Sequence, residues 1–188
     1  MYYHASQVGG LKELFPHISN HEKPLVYLSF KRENVLVYLS NAVEKHCKEI
    51  GFKHSGYYKK WGSYGFQKGI LCLDEYYPNA TIDTYKGVSG YIYSSNNVNS
   101  IEKLSDIPFA FTTTTNVSVE YCEFIPDAYD AIMQAAEEGK IILRKYEDNS
   151  EKMLDWIKTS IKNEYDTNEN HLEYQSFIRA KFDDILHS

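Results

Sequence analysis

Tyr3-His4-Ala5-Ser6 and, after an intervening loop, Val26-Tyr27-Leu28-Ser29 decide how this chain is read. Each tetrapeptide has the character of a short strand closed by a small hydroxyl residue. The second leads straight into a segment where Val35, Leu36, Leu39, Ala42, Val43, Cys47 and Ile50 recur at three- and four-residue spacing, with Gly51 as a natural stop. That spacing predicts one amphipathic helix from Arg32 to Ile50.

Between the two tetrapeptides, Gly9, Gly10, Pro16 and Pro24 predict a loop with one helical turn. Beyond the expected helix, a stretch rich in Tyr, Gly and Lys predicts strands at 69–73 and 88–93. Thr- and Val-rich runs at 109–115 and 117–125 continue a sheet-dominated middle. Asp127 is the expected N-cap of a helix over 128–138 that carries Asp130 early and stops at Gly139, and 141–145 is an expected closing strand. From residue 148 the pattern turns helical. Met153, Leu154, Ile157 and Ile161 form one stripe, Phe177, Ile178, Phe182, Ile185 and Leu186 another, and the polar stretch 163–170 separates them.

Strands in the middle and helices at the end predict an α+β fold, with small antiparallel sheets forming a cleft, an early amphipathic helix and a C-terminal helical pair. The expected organisation is one domain over 1–147 with a helical extension over 148–188. Hydrophobic residues at 43% and charged residues at 24% suit a globular chain, and disorder is not indicated. A net charge of −6 disfavours DNA binding, which rests on neutralising many phosphates, but leaves a small phosphorylated ligand open. No stretch approaches the apolar length of a membrane span, and no basic segment precedes an apolar run, so a cytoplasmic location is expected. Cys47, Cys72 and Cys122 are odd in number and lack a paired spacing, which predicts reduced thiols in or near the core.

A histidine on the first strand and a tyrosine on the second resemble the opening of the ADP-ribosyltransferase fold. The resemblance covers the first quarter of the chain, with Ala5 standing where that family usually has glycine after the histidine. It implies binding of NAD as a consumable substrate and transfer of ADP-ribose to an acceptor the sequence does not name. In that family the histidine orients a ribose and the tyrosine stacks on nicotinamide, which gives those roles to His4 and Tyr27. A carboxylate on a later strand stabilises the oxocarbenium-like transition state. Glu120 is the expected carboxylate, Glu123 lies on the same expected strand, and Asp74 and Glu75 are further candidates. Ser6, Ser29 and Arg32 are the expected supporting contacts, with Arg32 facing a pyrophosphate beside Lys31.

Two other functions compete with this one. Transfer of a 2′-phosphate from RNA to NAD occurs on the same fold but needs clustered arginines, and this chain has Arg32, Arg144 and Arg179. A non-enzymatic interaction module would use the seventeen tyrosines as a partner surface. His17 and His21 have helical spacing without a recognisable third ligand, so no metal site is expected. Lys59, Lys60 and Trp61 beside Tyr57 and Tyr58 make a basic aromatic patch that suits either a nucleotide or a surface hairpin. Neither a phosphate-cradling loop nor a dinucleotide fingerprint is present.

Overall fold

The structure is a computed structural model that describes residues 1–18, 23–54 and 64–187. Among the described residues the strands are β1 (Tyr2–Ser6), β2 (Glu13–Leu14), β3 (His17–Ile18), β4 (Pro24–Ser29), β5 (Tyr64–Gln67), β6 (Ile70–Asp74), β7 (Gly90–Ser95), β8 (Ile101–Lys103), β9 (Ala110–Thr113), β10 (Val117–Ser118), β11 (Tyr121–Ile125) and β12 (Ile141–Arg144). The α-helices are α1 (Ala42–Glu49), α2 (Ala80–Tyr85), α3 (Ala128–Glu137), α4 (Glu151–Thr167) and α5 (Leu172–Leu186). The fold is α+β, as the order of elements in the sequence predicts.

The chain divides into two compact units. The first comprises 1–39, 65–72 and 86–142, the second 40–64, 73–85 and 143–188. The C-terminal helices therefore share a unit with two earlier segments, whereas the sequence suggested a simple extension from 148. Strands β12, β6 and β5 form a separate three-stranded sheet in that order.

In the first unit an antiparallel sheet runs β11-β7-β1-β4-β9-β8, with β3 added alongside β4. Val26 and Leu28 from β4 and Tyr93 from β7 are buried with Leu14 and Val117, which belong to the small sheet β10-β2. The Tyr93 hydroxyl donates to the Val8 carbonyl at 2.7 Å and accepts from the Leu11 N–H at 3.3 Å, so the chain between β1 and β2 is tied down where a helical turn was expected. A 3-10 helix over Glu33–Tyr38 packs against β1, β4 and α3.

The single helix expected from Arg32 to Ile50 is instead two. Leu39 leaves helical geometry at φ −85° and ψ 64°, and Asn41 at φ −145° precedes α1. Val35, Leu36 and Leu39 are buried in the first unit, whereas Ala42, Val43 and Cys47 belong to the core of the second. Two segments with separate cores happen to continue one three-and-four spacing, which is why they read as one stripe. Gly51 does stop α1, at φ +67°.

Helix α3 forms as its sequence dictates. Asp127 Oδ1 accepts from the Tyr129 N–H at 2.9 Å and the Asp130 N–H at 3.3 Å, and Oδ2 accepts from the Gly87 N–H at 3.0 Å. Burial opposes ionisation of Asp127, but the Gly87 and Asp130 amides and the Lys86 ammonium outweigh it and hold the carboxyl below its ordinary range. Asp127→Ala is expected to cost about 1–2 kcal/mol of stability at neutral pH. Because the folded-state value is depressed, this contribution is complete above the ordinary carboxylate pKa and disappears as pH falls through the folded-state value. Urea titrations of both proteins should show the gap closing below about pH 4, and a gap independent of pH would mean the charge is irrelevant.

The second unit is built on α1, α2, α4 and α5. Phe177 and Ile178 of α5 are fully buried and cluster with Val43 and Cys47 of α1, Ile157 and Ile161 of α4, and Phe182. Ser150 caps α4 by accepting from the Met153 N–H at 3.3 Å. Glu75, 2% exposed, accepts from the Thr81 N–H at 3.0 Å and the Tyr146 N–H at 3.4 Å. Asp74 forms a two-point ion pair with Arg144. Both carboxylates, candidates for chemistry in the sequence, serve as joints of this unit.

Cys47 and Cys72 are buried as expected, but Cys122 is exposed on β11. No helix among the described residues is long and apolar enough to cross a membrane.

Candidate functional site

Strand β1 pairs with β7 along its whole length, from Tyr2↔Ser95 to Ser6↔Tyr91, but with β4 its register is set at Tyr3↔Ser29. Beside that junction the two principal residues of the sequence pattern meet. His4 Nδ1 lies 2.9 Å from the Tyr27 carbonyl oxygen. A carbonyl only accepts, so Nδ1 carries the proton, and the neutral ring then presents its lone pair at Nε2. A side chain thereby takes a β4 backbone acceptor, and the imidazole is fixed in tautomer and orientation. Tyr27 pairs with Thr112 of β9 and is half-buried, and because Tyr3 lies across from Ser29 its ring is on the opposite face of the sheet from His4, so only its backbone meets the imidazole.

Ser6 and Ser29 close their strands in the same way. Ser6 Oγ accepts from the Val8 N–H and Ser29 Oγ from the Lys31 N–H, both at 3.1 Å. Each oxygen fixes the turn that follows it, which is the standard local role of a hydroxyl two residues ahead of an amide.

Arg32 is committed elsewhere in its unit. Its Nε and Nη2 donate to the Glu123 carboxylate at 2.7 Å and 2.5 Å, a two-point pair that raises the guanidinium pKa. Glu123 faces Ile92 on β7, and Ile92 faces Ala5 on β1, so the pair spans the sheet from the end of β4 to β11.

Glu120 is not in a strand. The expected strand 117–125 breaks into β10 and β11, and Glu120 occupies the break, its N–H donating to the Ser94 carbonyl at 2.9 Å. Its carboxylate accepts from the Asn96 N–H at 3.1 Å, the Asn96 side-chain amide at 2.9 Å, the Asn97 side-chain amide at 3.1 Å and the Ser95 hydroxyl at 3.4 Å. The Asn96 amide foremost, followed by the other donors, holds its pKa below the ordinary value against a smaller opposing effect of burial. Because β7 lies between β11 and β1, two inter-strand spacings, about 10 Å, separate the strand after Glu120 from the strand of His4. The structure thus joins His4 to the Tyr27 backbone, joins Arg32 to Glu123, and sets Glu120 apart just before β11, bonded to the loop that follows β7.

A second cluster at the end of β4 escaped the sequence pattern. Phe30, 45% exposed, stacks on Tyr2 with centroids 4.4 Å apart and meets Phe111 edge-on at 4.5 Å. The Phe30 N–H donates to the Phe109 carbonyl at 3.0 Å. Phe109 adopts φ +62°, a left-handed conformation that costs a bulky residue about 1 kcal/mol or more. The Lys31 ammonium sits 4.3 Å from the centroid of the Phe109 ring and donates to the Gly69 carbonyl at 2.9 Å. Gly69, expected at the head of a strand over 69–73, instead precedes β6 at φ +75°.

Among the described residues no group of three or more His, Cys, Asp or Glu is placed to hold a metal ion. His17 is exposed in β3, while His21 lies outside the described residues, as does the patch from Tyr57 to Trp61. No family model, curated protein or solved structure matches this chain.

Proposed function

We propose that the chain binds NAD at the β1–β4 junction and transfers its ADP-ribose to an acceptor nucleophile. The observation that carries this is the bond from His4 Nδ1 to the Tyr27 carbonyl, which fixes the tautomer in which Nε2 is the acceptor nitrogen, the atom we assign to a ribose hydroxyl. Tyr27 contributes its carbonyl, which holds the imidazole, and Ser6 and Ser29 hold the turns at the ends of the two strands. In the transfer, the glycosidic C–N bond breaks, nicotinamide leaves with the bonding electrons, and the acceptor's lone pair forms the new bond to the anomeric carbon while its proton passes to solvent. Glu120 is the carboxylate that stabilises the positive charge developing at that carbon.

Calorimetric titration with NAD tests binding, and release of nicotinamide tests turnover. Wild-type protein is expected to bind saturably and to release nicotinamide slowly, with water as the acceptor of last resort. Glu120→Gln should keep binding and lower release by at least tenfold. Unchanged release in Glu120→Gln with loss in Glu123→Gln would transfer the role to the Arg32 partner, and absence of NAD binding by the wild type would sink the proposal.

A second function, nucleotide binding without transfer, is favoured by one observation. Donors from Ser95, Asn96 and Asn97 converge on Glu120, so its carboxylate organises a loop whether or not a substrate is present. Binding without nicotinamide release would select it. The RNA phosphotransferase is weakened because Arg32, Arg144 and Arg179 each bond to an acceptor of the chain itself, Glu123, Asp74 and the Tyr165 hydroxyl respectively.

A further inference from the structure

We infer that the corner at the end of β4 is an adenylate subsite, with Phe30 as the platform for the base and Lys31 as the cation for the phosphate. This deepens the proposed NAD site and rests on it. Within the first unit, three features make the corner suited to a base carrying a phosphate.

The first is an exposed ring packed on one face and one edge. Phe30 presents almost half its surface to solvent, yet Tyr2 stacks behind it and Phe111 meets its edge. A ring already held by two neighbours stacks on a base at a reduced entropic cost. A large exposed aromatic whose remaining faces are packed has its open face in the right state for a planar ligand.

The second is a positioned cation with capacity to spare. An ammonium has three N–H groups, and among the described residues the Gly69 carbonyl is the hydrogen-bond acceptor of the Lys31 ammonium. The ring of Phe109 steadies it from below, and two donors remain for phosphate oxygens. Arg32, the cation favoured by the sequence, has its charge paired with the Glu123 carboxylate through Nε and Nη2. Phosphate capture therefore falls to Lys31.

The third is Phe109 itself. A glycine at φ +62° would relieve the strain, but only a ring at this position steadies the ammonium. Its carbonyl also receives the Phe30 N–H, so the same residue positions both the cation and the backbone of the platform. The corner adjoins the ribose-orienting histidine, because Tyr2 and His4 lie two residues apart on the same side of β1.

Calorimetric titration of the full chain with AMP, adenosine and nicotinamide mononucleotide tests the assignment. AMP should bind the wild type, and Phe30→Ala should weaken AMP by about tenfold or more while leaving nicotinamide mononucleotide unchanged. Phe30→Tyr, which keeps the ring and its packing, should restore AMP binding and so guards against a folding defect in the alanine variant. Lys31→Gln should weaken AMP several-fold and leave adenosine as it was, a split that general loosening of the corner would not produce. Equal AMP affinity in wild type, Phe30→Ala and Lys31→Gln overturns the adenylate subsite while mononucleotide binding lost in a His4 variant would leave the NAD site standing. Failure of the wild type to bind either mononucleotide overturns both.

Discussion

Phe177→Ala is expected to remove about 3–5 kcal/mol from the stability of the helical unit. Phe177 is fully buried on α5, where it packs among side chains of α1 and α4, and His46 meets its ring edge-on with centroids 5.8 Å apart. Removing the ring deletes its transfer free energy and leaves a cavity that three helices would have to close together. Phe177→Leu keeps most of the volume and should cost less than about 1.5 kcal/mol. Urea denaturation followed by far-ultraviolet circular dichroism reads both, since α1, α4 and α5 supply most of the helical signal. A loss below about 1 kcal/mol in the alanine variant would mean that these helices are not held by this cluster.

The same residue shows what the sequence could convey. Phe177, Ile178 and Phe182 fall on one stripe, as do Ile157 and Ile161, and the structure buries all five. Such patterns are legible because helical periodicity is local and each helix has one core to face. Asp127 and Gly139 were legible for a related reason, since capping chemistry involves residues within a turn of each other. The segment 32–50 misleads because two cores draw on it in succession and the spacing continues across the break at Leu39. Glu120 misleads because a single β-rich run conceals an interruption made by the Ser94 carbonyl and the loop after β7. The corner of Phe30, Lys31, Gly69 and Phe109 depends on contacts between residues far apart in the chain and on one left-handed backbone conformation. No local pattern encodes either, so the fold class could be read from the sequence while the grouping of site residues could not.

His4→Ala is expected to lower NAD affinity by at least tenfold, and its close relative His4→Asn shows why. The imidazole has two separable tasks, because Nδ1 donates to the Tyr27 carbonyl and Nε2 is the acceptor assigned to a ribose hydroxyl. Alanine removes both. It removes the imidazole donor from the Tyr27 carbonyl, at a cost of about 1 kcal/mol in stability. Asparagine places an amide N–H close to the position of Nδ1 and nothing at Nε2. It should therefore keep nearly wild-type stability in urea while losing NAD as alanine does. If His4→Asn bound NAD as tightly as the wild type, the histidine would be a sheet fastener alone and the ribose contact would belong to another residue. If both variants lost stability to the same extent, the asparagine would have failed to replace the bond to Tyr27, and His4→Gln, which carries an acceptor near Nε2, becomes the variant that decides. Recovery of NAD binding in the glutamine protein, despite a weakened junction, would place the ligand at Nε2. The sheet junction and the ligand site meet on one ring, and only substitutions that divide its two nitrogens can tell their contributions apart.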